Sequence, residues 1–181
     1  MDLLTAWLSP RAAAPGPLND YWYTPYRSAT ASGVLVSADT ALMHPTLFAC
    51  VRVLTETVGM LPVHLLRQAG RRRVPATDNG WYDLLRGKPN DDQTWQELAE
   101  LMTGWAAVRG KAYARKVYDD FGRPLGLVPL NPDRLRRMKA ADGSPFYRYR
   151  NVQDREETYL PDELFALIGP FGGASVVDVL R

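Results

Sequence analysis

Between residues 110 and 160 the chain is cut into short pieces by turn-forming residues. Asp119-Asp120-Phe121-Gly122-Arg123-Pro124, Asn131-Pro132-Asp133 and Asp142-Gly143 separate stretches of alternating or apolar character. That punctuation leaves no room for a long helix and predicts short antiparallel strands over 112–118, 125–130, 134–138 and 146–150. A further short strand is expected at 158–160, and Pro161-Asp162-Glu163 then leads into an apolar run at 164–168. In the strand at 146–150, alternation puts Tyr147 and Tyr149 on one face and Arg148 and Arg150 on the other.

Helical patterning precedes this strand-rich half. Thr94-Trp95-Gln96-Glu97 is a capping box, in which the Thr hydroxyl and the Glu carboxylate satisfy each other's backbone N–H groups. Trp95, Leu98, Met102 and Trp105 give the following helix an apolar face, and Gly110 is its natural C-cap. Upstream, His44-Pro45 starts another helix, since Pro suits the first helical position. There Leu47, Val51, Leu54 and Val58 recur at the spacing of a buried stripe, with Arg52 and Glu56 paired on another face. Gly59 and Pro62 end it. Residues 62–67 are expected as a strand, with Gly70-Arg71-Arg72-Arg73 as the loop after it, and 78–86 as a short helix stopped by Gly87 and Pro89. The fold class is α+β, helices packed on an antiparallel β-meander, with no internal repeat.

With 181 residues, one domain and an arm can be built. The arm is residues 1–33. From residue 10 on it is punctuated by Pro and Gly, a composition that builds no core element by itself. Yet Tyr21, Trp22, Tyr23 and Tyr26 fall within six residues of it. An arm carrying four such rings docks by them, either on its own body or on a neighbour. Residues 34–168 form the body, and 169–181 a Gly-rich and then apolar tail. Residues 1–8 are apolar but short, with Asp2 where a signal peptide carries basic residues, and nothing approaches a membrane span, so a cytoplasmic product is expected.

One cysteine, Cys50, excludes an internal disulfide, and with two histidines it argues against a structural zinc site. Cys50 lies in an apolar run and is expected as a buried thiol. The run from Gly104 to Ala112 (G-W-A-A-V-R-G-K-A) fails as a phosphate loop on spacing, on the missing hydroxyl and on its place at a helix end. No Ser occupies a G-x-S-x-G elbow, and His44 and His64 belong to no metalloprotease pair. No lysine follows an acid at nuclease spacing. The doublets Asp91-Asp92, Asp119-Asp120 and Glu156-Glu157 are expected in solvated loops. No catalytic residue, metal site or cofactor is therefore assigned, and the chain is expected not to be an enzyme.

Charge placement remains. Lys and Arg number 22 against 20 Asp and Glu, so this is no histone-like DNA coater. Within that balance lie three basic clusters: Arg67/Arg71/Arg72/Arg73, Arg109/Lys111/Arg115/Lys116 and Arg134/Arg136/Arg137/Lys139. Each is either a solvated face or a place that meets phosphates non-specifically. No recognition helix, zinc finger or RRM signature marks sequence-specific reading.

Several runs, in order, resemble the portal proteins of tailed double-stranded DNA phages, of the long-tailed, non-contractile type. They begin with Ser32-Gly33-Val34-Leu35-Val36 and Thr40-Ala41-Leu42. The most specific is Phe48-Ala49-Cys50-Val51-Arg52-Val53-Leu54-Thr55-Glu56-Thr57-Val58 followed by Leu61-Pro62-Val63-His64-Leu65. Then come Thr77-Asp78, Leu84-Leu85 with Lys88-Pro89-Asn90, the segment 94–101, and Arg109-Gly110-Lys111-Ala112-Tyr113-Ala114. Gly122-Arg123-Pro124, Leu130-Asn131-Pro132-Asp133-Arg134-Leu135 and Leu160-Pro161-Asp162-Glu163-Leu164-Phe165 complete the series, over residues 32–168.

The resemblance implies a structural subunit of a ring, typically a dodecamer, at the capsid vertex where DNA is packaged and ejected. Implied partners are other portal subunits, capsid or scaffold proteins, and the terminase and tail adaptor. DNA is contacted non-specifically at most. The implied location is the virion, and the host cytoplasm during assembly. Family chains are usually at least twice as long and continue into stem, clip and crown segments. The expectation is therefore the N-terminal wing portion only: a prophage remnant, one half of a split gene, or an excised piece. Terminase docking and channel lining would belong to the segments not found here. The other reading is a free-standing binding module derived from a wing, for example one that interferes with portal assembly. Expected contact residues are Tyr21, Trp22, Tyr23 and Tyr26 of the arm and Arg71, Arg72 and Arg73 of the loop.

Overall fold

The computed structural model describes residues 37–175. The arm's Tyr21, Trp22, Tyr23 and Tyr26 lie outside the described residues, as do the last six residues of the tail. The first described element, α1 (Ala38–Leu42), was not expected as a helix. It is held by a capping box in which the Ser37 hydroxyl accepts from Thr40 N at 3.1 Å and Ser37 N donates to the Thr40 hydroxyl at 2.7 Å.

Helix α2 (Pro45–Gly59) starts at the expected proline. Leu47, Val51, Thr55 and Val58 lie half-buried towards the neighbouring helix, and Gly59 is buried. Leu54 does not join them and stays 45% exposed. Thr55 packs close to Gly104 of the facing helix, so the seam runs through Thr55 and Leu54 is turned to its edge. Cys50, expected buried, is exposed for the same reason.

Next comes a two-stranded hairpin, β1 (Leu66–Ala69) and β2 (Arg72–Pro75), with Gln68 opposite Arg73 and Ala69 opposite Arg72. Two expectations are corrected here. Residues 62–65 lie outside the strand, because the partner strand is only four residues long and ends at Pro75. The arginine loop shrinks to Gly70-Arg71, and Arg72 and Arg73 belong to β2. Helix α3 (Gly80–Arg86) is capped by the Asn79 side chain, which accepts from Trp81 N at 3.0 Å.

Helix α4 (Trp95–Arg109) follows the sequence reading from end to end. Thr94 and Glu97 form the capping box, and Gly110 is the left-handed C-cap at φ 80°. Six strands complete the body: β3 (Lys111–Tyr118), β4 (Pro124–Leu130), β5 (Leu135–Lys139), β6 (Pro145–Arg150), β7 (Glu156–Tyr159) and β8 (Leu164–Ile168). Every pairing is antiparallel. The strands divide into two sheets, β4-β3-β8 and β5-β6-β7, because β8 returns to β3 and closes its second edge. A short helix, α5 (Pro170–Gly173), follows.

The two faces of the first sheet build two cores. Leu98, Met102 and Ala106 of α4 pack on Ala112 and Ala114 of β3 and Leu127 of β4, with Trp81, Leu85, Trp95 and Trp105 around them. On the opposite face Tyr113, Leu130 and Leu164 meet Leu135, Tyr149 and Tyr159 of the second sheet, with Tyr147 beside them. The order of layers is thus α2, α4, first sheet, second sheet. The small side chains of Ala112 and Ala114, fully buried, let α4 lie close on the sheet.

The Lys88-Pro89-Asn90 run finds its reason in this packing. Pro89 is fully buried, and its carbonyl accepts from Leu127 N at 2.6 Å. Asn90 Nδ2 donates to the Leu127 carbonyl at 2.9 Å. The loop before α4 therefore satisfies both backbone groups of a buried residue on β4. Its approach requires Gly126, where a Cβ would sit 2.5 Å from the Pro89 carbonyl oxygen.

Candidate functional site

Among the described residues no group of three or more His, Cys, Asp or Glu side chains could hold a metal ion. The doublets do local work. Asp119 accepts from the backbone N–H groups of Phe121 and Arg123 and from Arg123 Nε at 3.0, 2.7 and 2.8 Å, and these bonds hold its carboxyl below the ordinary range. Glu156 and Glu157, expected in a loop, open β7 and point to opposite faces. Glu156 lies 3.6 Å from Arg148 and 3.7 Å from Arg150 on the outer face. Glu157 turns inward, where it accepts from the Tyr159 hydroxyl and from Asn151 Nδ2, and both bonds lower its pKa. Burial, and then the bond to Glu157, push Tyr159 up to about 12; burial pushes Tyr113 to about 12 as well.

The three basic clusters part ways. In the second, Arg109 is only 14% exposed in its side chain and ties Asp39 (2.7 Å) to Asp133 (2.8 Å). It clamps α1 to the turn after β4, so it is a structural residue. Arg115 lies between the sheets with Nε buried and unbonded among the described residues. Lys116 donates to the Asp162 carbonyl at 2.9 Å, and burial lowers the pKa of Lys111. This cluster is not a phosphate-facing patch.

The other two stay at the surface. Arg67 pairs with Asp78. Arg71, Arg72 and Arg73 are all exposed and pair with no carboxylate among the described residues. Arg136 of the third cluster stands opposite Arg148 of β6 in the ladder, with Arg150 two residues on. They make the outer face of the second sheet basic, moderated by Glu156.

One further feature was not among the expected site residues. Helix α2 exposes apolar side chains away from the α4 seam as well: Phe48, 55% exposed, on the side of α1, and Val53 and Met60, 64% and 67% exposed, on the outer side. A cleft of about 560 Å³ separates α1, α2 and α4, walled by Leu42, Phe48 and Val51 and rimmed by Asp39, Glu56 and Glu100. The sequence did hold the signal. Residues 47–61 are apolar on nearly every side, and a helix of that kind is covered on more than one face. Exposed apolar surface of this kind makes α2 a candidate interaction face.

Comparison with known proteins agrees with the motifs. The profile described as "Phage portal protein" matches residues 45–181. Protein BeeE of Escherichia coli K12 is 38% identical over 103 residues, covering 57% of this chain and 65% of that protein. The portal protein of Enterobacteria phage HK97 is 27% identical over 144 residues, covering 78% of this chain and 33% of the relative. The chain thus spans less than two thirds of each. Among solved structures, a chain from the neck of an empty GTA particle matches with a TM-score of 0.62 and 26% identity, over 83% of this chain and 44% of that one. An HK97-family portal protein from Corynebacterium diphtheriae shares the fold, at a TM-score of 0.50 and 17% identity, over 77% of this chain and 43% of that one. The ordered motifs, the layered α+β fold and a profile match over most of the chain lead to one conclusion: the chain belongs to the phage portal protein family.

Proposed function

We propose that this chain serves as the wing portion of a portal ring, a structural and non-enzymatic part of the vertex through which DNA is packaged and ejected. The observation that carries this is the outer apolar side of α2, with Val53 and Met60 exposed among the described residues, in a chain of this family. In a ring, each copy would bury that side against a neighbour. The arm's Tyr21, Trp22, Tyr23 and Tyr26 would add anchors on the adjoining subunit, and Arg71, Arg72 and Arg73 a basic hairpin that meets capsid or scaffold. Terminase and tail adaptor would dock on stem and clip segments supplied with it. DNA would be met only through diffuse phosphate attraction that weakens with salt.

Co-expression of this chain with stem, clip and crown segments of the family, followed by electron microscopy, tests the reading. Rings that contain the chain, and that are lost in a Val53→Glu/Met60→Glu variant, are the expected result. A chain that stays monomeric beside those segments contradicts ring assembly. Capture by an unrelated phage's portal instead would favour a free-standing module that interferes with assembly.

A further inference from the structure

Alternation along β6 divides its side chains between two faces. Tyr149 turns into the core between the sheets, with Leu135 of β5 and Tyr159 of β7. Arg148 and Arg150 therefore stand on the outer face, on the central strand of the second sheet. Arg136 of β5 is directly opposite Arg148, and Thr158 of β7 flanks Arg148 on its other side. All three arginines are exposed. Ladder geometry brings the Cβ atoms of Arg136 and Arg148 to about 5 Å, and strand geometry sets Arg150 roughly 7 Å from Arg148 on the same face.

Folding gains nothing from this arrangement, since like charges directly opposite in a ladder are destabilising. Among the described residues Glu156 is the one carboxylate paired with any of the three. It lies 3.6 Å from Arg148 and 3.7 Å from Arg150, too far to take up their N–H donors in good hydrogen bonds. We propose that the outer face of the second sheet binds the phosphodiester backbone of duplex DNA. Charge is the first reason: three clustered guanidinium groups against one carboxylate complement a backbone of closely spaced phosphates. Composition is the second. A protein partner needs a desolvated apolar centre, and the exposed large apolar side chain on this face is Met138, 38% exposed and to one side. Faces that take DNA are instead polar, wet and strongly positive. A flat sheet face meets phosphates and not base edges, so binding is independent of sequence. Phosphate binding here deepens the portal reading by naming the surface that DNA meets, yet its test needs no ring. A chain that assembles without binding DNA overturns this proposal alone, and one that binds DNA without assembling overturns only the ring.

Fluorescence anisotropy with a short labelled duplex of mixed sequence, between about 50 and 200 mM salt, tests it. An Arg136→Gln/Arg148→Gln/Arg150→Gln variant, shown to be folded by circular dichroism, should bind at least about tenfold more weakly at 0.1 M salt, with a log–log salt slope shallower by about 2 to 3. The hairpin variant Arg71→Gln/Arg72→Gln/Arg73→Gln removes the same charge and should keep most of the affinity. No binding by the parent chain, equal losses in the two variants, or a loss in the hairpin variant alone overturns the proposal. Competition by poly-glutamate as effective as by an equal charge of unlabelled DNA also overturns it, and assigns the face to an acidic protein. If the sheet variant does not fold, Glu156→Gln answers from the other direction: freeing Arg148 and Arg150 of their carboxylate should tighten binding by about threefold, and unchanged or weaker binding refutes the assignment.

Discussion

Replacing Asn90 by Ala probes how the helical layer is fastened to the first sheet. Asn90 Nδ2 donates to the Leu127 carbonyl at 2.9 Å and to Gln93 Oε1 at 3.3 Å, while its Oδ1 accepts from Asp92 N at 3.1 Å. Leu127 is 2% exposed, so water does not easily replace the lost donor. Loss of the net bond costs about 1 kcal/mol, and stranding a buried carbonyl adds about 1 kcal/mol or more. A total of about 2 kcal/mol lowers the melting temperature by roughly 4–8 °C for a domain of this size. Urea and thermal unfolding, followed by circular dichroism, measure it. Asn90→Asp separates the contributions: it keeps the acceptor for Asp92 N but has no donor for Leu127, so it should cost at least as much as Ala. A loss below about 0.5 kcal/mol for Asn90→Ala, or an Asn90→Asp protein as stable as the parent, would refute the reasoning.

Three further outcomes follow from the same structure. Gly110→Ala combines a residue at φ 80° with a Cβ 2.2 Å from the Gly173 carbonyl oxygen, so it should destabilise by more than the roughly 1 kcal/mol of left-handed strain alone, read by urea midpoint. Replacing Arg71, Arg72 and Arg73 together by Ala should leave stability within about 0.5 kcal/mol of the parent, because all three are exposed; unfolding of that variant would make them structural. Ultraviolet titration should find Tyr113 and Tyr159 ionising at about 12, because burial disfavours both phenolates and the bond to Glu157 adds to this at Tyr159. Because their folded pKa values are raised, the stability linked to them is fully present below about 10, the ordinary tyrosine value, and is lost as pH climbs towards 12; a single tyrosine class near 10 in the folded protein would contradict this.

Much of the fold could be read from local chemistry. The Thr94–Glu97 capping box and Gly110 bound α4 because both ends are settled by neighbouring residues. The turn clusters bound the strands in the same way. What escaped depends on residues far apart in the chain. Helix α1 is short, and a clamp from Arg109, which also holds Asp133, ties it down; nothing in residues 32–42 announces that partner. The division into two sheets follows from β8 pairing with β3, across roughly fifty residues. Cys50 was expected inside because its neighbours are apolar, but burial on a helix is decided by which side faces α4. The site was less legible than the fold. The exposed arginines of the hairpin could be named from sequence, whereas Arg109, Arg115 and Lys116 looked like a surface patch and prove to be tied into the body. The outer side of α2 was visible only as an excess of apolar residues.

Native mass spectrometry of the chain, co-purified with the stem, clip and crown segments of its family, bears most directly on the claim that it works as a portal wing. The account predicts one closed-ring mass with equal copies of this chain and of the segments that complete it. A complex in which the chain is absent or bound in less than one copy per subunit, with the remainder monomeric at every concentration, would contradict it.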